Sequence, residues 1–305
     1  MKFSIIIPVY NGLDFLKDAI DSVIEQTFSD YEIIIVDDFS EQDIEEFLKS
    51  NYSEFLAKQA VRYFRNSKRM ERSFSRNCGV EYARGEILAF LDHDDCFKKN
   101  HLSEVYEAFL KYPDIELVYS VLEELIDYSN RVVSFSPHKF KDQDLIQAAL
   151  QASFITSGIS IKKKSFFRIG RFEERLTQRE DYELLCRGLM ECDLRVMLLW
   201  GNSIQVRRVK KPGRSSRKYI PDDPYLENTK LAKKIIGQYQ FMHDCQKARH
   251  YLPYLYYEVA NVSITYHDLS YAFRVILKLI MMKPFGFGYI KLVMRWLYHR
   301  LALEA

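Results

Sequence analysis

The stretch Phe90-Leu91-Asp92-His93-Asp94-Asp95 places three carboxylates and an imidazole within four consecutive residues, just after the apolar run Ile87-Leu88-Ala89. Buried together without a counter-charge, such groups repel one another. In an extended strand Asp92 and Asp94 would share one face, and a divalent cation would relieve their repulsion. Hard oxygen ligands suit Mg²⁺ or Mn²⁺ and leave coordination places for phosphate oxygens. His93 would then point the other way, as a neighbour rather than a ligand, and Asp95 is expected to cap a helix starting near Asn100. Two more polar clusters, Pro8-Val9-Tyr10-Asn11 and Asp37-Asp38, follow apolar runs in the same way. Taken singly, each cluster has an ordinary reading as a helix N-cap or turn, because Asp and Asn serve both roles. A further acidic pair, Glu180-Asp181, follows Arg179, and its ordinary reading is a helix N-terminus stabilised by first-turn acids.

The elements that must position these groups alternate. Phe3–Val9 and Tyr31–Asp38 are short, continuous, β-branched runs, as expected of strands buried on both faces. Between them Leu13, Leu16, Ile20, Val23 and Ile24 fall on one helical face. "EQDIEEFLKS" predicts a second helix and "AVRYFRN" a third strand. "SFSRNCGVEYARG" predicts a helix closed by Gly85, and "EILAFLD" a fourth strand. This alternation predicts an α/β chain with a doubly wound parallel sheet. Ligands of such sheets collect at the carboxyl ends of the strands. The clusters at residues 8–11, 37–38 and 92–95 all sit there, so a shared site outweighs three separate turns. Ile115–Ser120 predicts a fifth strand, "RVVSFS" an outer strand, and "GISIKKKSFFRIGRF" a strand running into a short helix. "TQREDYELLCRGLM" predicts a helix, "LRVMLLW" and "NSIQVRRV" two more strands, and the chain from about Pro221 reads as helical.

Composition narrows the classes. The 305 residues are 48% hydrophobic, enough for a real core, and the formal net charge of +2 argues against a basic-coated nucleic-acid binder. Five cysteines without a CxxC pair fit reduced thiols of the cytosol better than a disulfide framework or a zinc site. The N-terminal apolar run is too short for a signal peptide and breaks at Pro8, and no window of about 20 apolar residues predicts a membrane span. The phosphate loops GxxxxGK[ST] and GxGxxG are missing, as are HExxH and GxSxG. A phosphoacceptor receiver domain also gathers acids at strand ends, but it would leave everything after about residue 125 unexplained.

"SIIIPVYNGLDFLKDAIDSVIEQTFSDYEIIIVDDFS", "SRNCGVEYARGEILAFLDHDD" and "GRFEERLTQREDYELLCR", in this order over about Phe3–Arg208, resemble a family 2 glycosyltransferase of the GT-A fold. The resemblance implies an inverting, mostly bacterial enzyme that moves a sugar from a nucleotide-diphosphate donor, with a Rossmann-like nucleotide-binding half. It implies that Pro8 and Tyr10, with Asn11, lie against the nucleoside. Asp38 would hydrogen-bond a base, typically uracil, with Arg76 and Asn77 at the same end. "DHD" would be the family's DXD, with Asp92 near the ribose and Asp94 as the direct ligand of Mn²⁺ or Mg²⁺. "RED" would supply the general base, Asp181 first and Glu180 as runner-up. One departure stands out: many relatives carry a metal-binding His after the last sheet strands, whereas "VRRVKKPGRSS" has none. Lys210, Lys211 and Arg214 there would either contact the diphosphate directly or belong to a solvated basic loop.

From Ser270 onward six basic residues (Arg274, Lys278, Lys283, Lys291, Arg295, Arg300) face one acid, Glu304. Apolar clusters alternate with them, and Pro284-Phe285-Gly286 divides the segment. Basic amphipathic helices carrying Phe287, Tyr289, Trp296 and Tyr298 read as binding an anionic membrane surface. The alternative is a helical subdomain or homodimer interface that buries those rings. The expected organisation is a GT-A catalytic domain over 1–218, with a nucleotide half 1–95 and an acceptor half 96–218, followed by a helical region 219–305. The function expected is transfer from a nucleotide-sugar, a UDP-sugar by resemblance, to a hydroxyl of a glycan or lipid-linked acceptor. The expected location is cytoplasmic, peripheral on the inner membrane face. The rival reading is a non-catalytic nucleotide-sugar or metal-binding module, which would need no base. A nucleotidyltransferase would want a Gly-rich, Arg/Lys-bearing loop after the first strand, and "PVYNG" is not that.

Overall fold

A computed structural model describes residues 1–121, 124–126, 132–134, 155–174, 180–201, 204–207, 260, 269–282, 293–294 and 296–297. In chain order the elements are β1 (Phe3–Val9), α1 (Leu13–Ile24), β2 (Tyr31–Asp37), α2 (Ile44–Ala57), β3 (Val61–Arg65), α3 (Glu71–Tyr82) and β4 (Ile87–Phe90). There follow β5 (Cys96–Phe97), α4 (His101–Lys111), β6 (Leu117–Ser120), β7 (Glu124–Ile126), β8 (Val132–Ser134) and a 3₁₀ turn (Thr156–Gly158). Then come β9 (Ile159–Lys162), α5 (Lys163–Arg168), α6 (Glu180–Glu191), β10 (Val196–Leu199), β11 (Ile204–Arg207) and α7 (Leu269–Met282). The chain divides into two compact units, one of residues 1–143, 153–174 and 180–214, the other of residues 144–152, 175–179 and 215–305.

In the first unit a seven-stranded sheet has the order β10-β6-β9-β4-β1-β2-β3. β1 is buried along its whole length, as a continuous β-branched run between two helical layers requires. It pairs in parallel with β2 from Phe3↔Tyr31 to Val9↔Asp37, and with β4 only from Phe3↔Ile87 to Ile6↔Phe90. The period-two alternation of β1 divides the core. Ile5 and Ile7 pack with residues of α1, α2 and α4, whereas Ile6 packs with residues of α3, α5 and α6. The sheet is not purely parallel: β9 runs antiparallel to both β4 and β6. A second sheet, β5-β11-β7-β8, carries the outer strand expected from "RVVSFS".

Two glycines set how closely α3 and its exit approach β1. A Cβ on Gly79 would lie 2.6 Å from Ile6 Cγ2, so its absence lets α3 rest on the sheet. Gly85 does not close α3, which ends at Tyr82. A Cβ there would lie 2.6 Å from Phe3 C and Ser4 N, and the Gly85 N–H donates to Ser4 Oγ at 2.8 Å. Its smallness serves a backbone crossing rather than a helix cap.

In the second unit α7 buries Ala272, Val275, Ile276 and Leu279 and exposes Phe273, Leu277 and Met281. Trp296 is not a surface ring: it is 8% exposed, stacks on Phe273 at 5.0 Å and donates its Nε1–H to the Leu269 carbonyl. Phe287, Tyr289 and Tyr298, and the helical reading of most of 221–305, lie outside the described residues. No helix among the described residues is long and apolar enough to cross a membrane.

Candidate active site

The carboxyl ends of β1, β2 and β4 lie along one edge because the three strands are parallel. The sheet order turns back on itself between β1 and β4, which makes their gap the switch point of the sheet. Pro8 keeps that gap open. The Val9 carbonyl accepts from Asp38 N on the β2 side and the Ile6 carbonyl from Leu91 N on the β4 side. Alternation therefore turns the Pro8 nitrogen toward β4, beyond the last β1–β4 pair, where it has no N–H to offer another strand. Tyr10 follows, partly buried, with the Arg69 guanidinium 4.3 Å from its ring centroid. Asn11 ties this loop to the next: its N–H donates to Ser40 Oγ at 3.0 Å and its Oδ1 accepts from Glu41 N at 2.8 Å. Asn11, Phe39 and Glu71 have φ of 46°, 65° and 71°. Gln59, Arg171 and Asp193, away from these loops, have left-handed backbone as well.

At the end of β2 both aspartates are buried and fully engaged by the protein. Asp37 accepts from Ser40 N at 2.8 Å and from the Tyr63 hydroxyl at 2.9 Å. Asp38 accepts at Oδ1 from Asn66 Nδ2 (2.9 Å) and Met70 N (2.7 Å), and at Oδ2 from Glu71 N (2.9 Å). The two backbone donors belong to the entry of α3, so Asp38 acts as that helix's N-terminal partner. Asn66, a buried amide absent from the expected set, completes the cluster.

At the end of β4 the extended-strand expectation fails. β4 stops at Phe90, and Asp92-His93-Asp94-Asp95 forms a turn closed by Asp95 N donating to Asp92 O at 3.0 Å. Asp92 and Asp94 are therefore not placed on one face by strand alternation. Asp92, its side chain 28% exposed, accepts from Arg76 Nη2 at 2.5 Å. Burial alone would raise the Asp92 carboxyl, but the guanidiniums of Arg76 and then Arg72 outweigh it and hold Asp92 below the usual carboxylate range. Asp95 does not cap α4, whose N-cap is Asn100; its Oδ2 accepts from Ser157 Oγ at 2.6 Å, and Ser157 Oγ in turn accepts from Asp92 N at 3.1 Å. Asp94 is buried in the same turn.

Arg76 reaches across to the acidic pair at the start of α6, where its Nη1 donates to Glu180 Oε1 at 2.7 Å. Burial works to lower the Arg76 pKa, but Asp92 and then Glu180 overrule it and push it up. Arg72, one turn earlier on α3, brings its Nε within 3.8 Å of the same Glu180 oxygen. Asp181 is partly exposed, and its Oδ2 accepts from Thr156 Oγ1 at 3.4 Å. Asn77 is a brace rather than a lining residue. Its Nδ2 donates to Phe172 O and Glu174 Oε1, both at 2.9 Å, and its Oδ1 accepts from Phe172 N.

The structure thus brings Arg76, Asp92, Glu180 and Asp181 to one place, and Pro8, Tyr10, Asn11 and Asp38 to the neighbouring β1–β2 edge. Lys210, Lys211 and Arg214 lie outside the described residues. Among the described residues no three His, Cys, Asp or Glu side chains form a ready metal cage. Asp92 pairs with Arg76 and Asp95 with Ser157, and Asp94, buried in the same turn, is the acid that the resemblance names as the direct metal ligand. One carboxylate completed by phosphate oxygens and water is an ordinary Mg²⁺ arrangement, so the residues fit a cation that arrives with a diphosphate. Arg72, Thr156 and Ser157 escaped the sequence reading. The spacing of Arg72 and Arg76, one helical turn apart before a strand that ends in acids, was the available signal for the first.

The model of glycosyl transferase family 2 matches residues 4–169 of this chain. An uncharacterized glycosyltransferase of Haemophilus influenzae is 29% identical over 191 residues, 62% of each chain. Another, of Methanocaldococcus jannaschii, is 26% identical over 187 residues, 60% of this chain and 63% of that protein. The chain therefore covers less than two thirds of either relative's length. In fold it is similar to the crystal structure of S. aureus TarS 1–349 in complex with UDP-GlcNAc, with a TM-score of 0.65 at 18% identity, covering 98% of this chain and 81% of that one. The likeness supports the GT-A-like arrangement of a mostly parallel sheet between helices.

Proposed function

The chain belongs to glycosyl transferase family 2, and on that premise we propose that it is an inverting glycosyltransferase that moves a sugar from a UDP-sugar to a hydroxyl of a glycan or lipid-linked acceptor in bacterial surface-polysaccharide assembly. The observation that carries this reading is Arg76. One buried guanidinium gathers Asp92, from the strand end where a donor would lie, and Glu180, beside the base candidate Asp181. A module that only binds nucleotide-sugar has no use for such a base. Support for UDP comes from TarS, one structure of which holds UDP-GlcNAc and another UDP.

In this reading Pro8, Tyr10 and Asn11 border the nucleoside, and Asp38 organises the loop beneath it. Asp181 removes the proton of the acceptor hydroxyl while that oxygen attacks the anomeric carbon. The bond to the diphosphate breaks on the opposite face, which inverts the centre. Mn²⁺ or Mg²⁺, held by Asp94 with Asp92 beside it, would neutralise charge on the leaving diphosphate. Asp92 and Arg76 hold the turn at the end of β4 against the start of α6.

The same proposal takes residues 1–218 as the catalytic domain and gives 219–305 an anionic membrane surface at the inner face of the cell membrane. Phe273, Leu277 and Met281 are exposed at helical spacing beside exposed Arg274, in a segment with six basic residues and one acid. A homodimer through this helix is the competing arrangement. The test is UDP release from a panel of UDP-sugars, with and without Mn²⁺ and with and without glycan acceptors, followed by NMR of the product's anomeric configuration. Metal-stimulated release with inversion supports the proposal. Tight donor binding without release under any acceptor would make the protein a binding module.

A further inference from the structure

We propose that Glu180 is a positioning residue: with Arg76 it forms a buried ion-pair bracket that holds the start of α6, and so Asp181, in register with the Asp92 turn at the end of β4. The inference rests on the transferase reading and deepens it. Arg76 is 1% exposed and Glu180 3%, so neither meets a substrate hydroxyl from solvent. The Arg76 Nη1 and Nη2 atoms go to different carboxylates on different elements, 2.7 Å to Glu180 and 2.5 Å to Asp92. The Phe172 ring lies 5.4 Å from the same guanidinium, on a segment that Asn77 clamps to α3. The Glu180 oxygen that accepts from Arg76 also faces Arg72 at 3.8 Å. An oxygen covered by two guanidiniums is poorly placed to collect a proton from an acceptor. Asp181, the next residue, is partly exposed.

The Arg76 Nε is buried with no hydrogen-bond partner. A buried orphan donor is costly, and a buried ion pair gains little over a well-packed apolar replacement. Stability alone therefore does not explain this guanidinium. A requirement that two distant acids be kept at fixed separation does, because only a planar fork with paired nitrogens bridges them. Groups near Asp181 include Thr156 from the 3₁₀ turn, Tyr119 from β6, Arg72 from α3, and Glu180 on its own helix. Glu180 is the adjacent negative charge, and Arg76 neutralises it.

UDP release at saturating donor is measured across pH for the full chain and for Glu180→Gln, Arg76→Lys, Glu180→Gln/Arg76→Lys and Asp181→Asn. Glutamine keeps the hydrogen bond to Arg76 but not the charge. The expected result for Glu180→Gln is a kcat loss of about tenfold or less, a donor KM within about twofold, and an acidic limb moved to lower pH. Arg76→Lys, which cannot span both carboxylates, loses about 10- to 100-fold in kcat, and adding Glu180→Gln costs little more. Glu180→Gln falling as far as Asp181→Asn, with the acidic limb gone, would make Glu180 the base and overturn the proposal. Independent, multiplying losses in the double variant would overturn it too. A thermal-unfolding cycle on the parent, Glu180→Gln, Arg76→Lys and the double variant reads the Arg76–Glu180 coupling without donor. Its absence sinks the bracket; its presence in a protein that releases no UDP supports the bracket and sinks only the transferase reading.

Discussion

The end of β2 carries Asp37 and Asp38, the turn after β4 carries Asp92, Asp94 and Asp95, and the two clusters are neutralised in different ways. At β2, Asp38 takes two backbone N–H groups from the entry of α3 and the amide of Asn66, while Asp37 takes a backbone N–H and a phenol and lies 3.6 Å from Arg65 Nε on the neighbouring strand. Those partners are local to the nucleotide half and leave the carboxylates buried. At β4, Asp92 is held by Arg76 from α3, and Asp95 by Ser157, which lies 62 residues further along the chain. Backbone donors make an acid part of the scaffold. Side chains gathered from separate elements make a place whose charges can be rearranged by a ligand. The β2 end is architecture and the β4 end, joined to α6, is where chemistry is expected.

That division breaks if turnover depends more on the β2 end than on the α6–β4 side. The largest expected effect is Asp181→Asn. Loss of a general base lowers kcat by about two to four orders of magnitude while donor affinity is retained. Single-turnover transfer together with equilibrium donor binding separates the two quantities. If transfer survives Asp181→Asn and fails in Glu180→Gln, the roles within the acidic pair are exchanged.

Asp94→Ala is expected to come next, with metal-stimulated turnover reduced about 100-fold and the melting temperature little changed. Unchanged turnover with metal still required would move the cation to other ligands.

How much of this was readable before the structure follows from what each feature depends on. β1 to β4 were legible because buried parallel strands are short β-branched runs, and "FSIIIPV" and "YEIIIVD" are such runs. β9 lies antiparallel between β4 and β6, an arrangement set by tertiary packing that no local period records. β5 is two residues long, below any periodicity. In the site, Asp92, Glu180 and Asp181 were marked by their charge density. The bridge by Arg76 joins residues 104 apart in the chain and has no local trace. The partners of Asp38 were hidden for a different reason, since two of the three are backbone N–H groups at Met70 and Glu71. The fourth strand was read through Asp92, two residues past its end at Phe90, because apolar runs mark where a strand begins better than where a turn ends it.

Asp38→Ala should show the opposite pattern to Asp94→Ala. Three donors, two of them at the entry of α3, lose their acceptor, and stability is expected to fall by about 2 kcal/mol. Urea unfolding at neutral pH measures it. The activity lost should be recovered in proportion to the folded fraction restored on cooling or with added donor. A variant as stable as the parent but unable to bind donor would make Asp38 a ligand contact first and a structural acid second.

The smallest expected effect tests what supports the β4 end from behind. His101, the first residue of α4, is fully buried, and its ring stacks on Phe97 with centroids 4.0 Å apart. Burial pushes its pKa down to about 3. The folded protein therefore keeps this imidazole neutral, whereas the unfolded chain takes up a proton as pH falls below about 6.5. The unfolded state then binds more protons than the folded one, so stability is fully present above about pH 6.5 and declines as pH drops toward the folded value. The limiting slope is about 1.4 kcal/mol per pH unit, and between pH 6.5 and 5.5 the loss is about 1 kcal/mol. His101→Phe keeps a ring against Phe97 and removes the titration. The difference in unfolding free energy between parent and variant should therefore shift toward the variant by about that amount over this interval. Any constant packing penalty cancels in the comparison of the two pH values. Parallel pH profiles would show that His101 does not carry the acid sensitivity, and the β4 end would then owe none of it to the helix behind it.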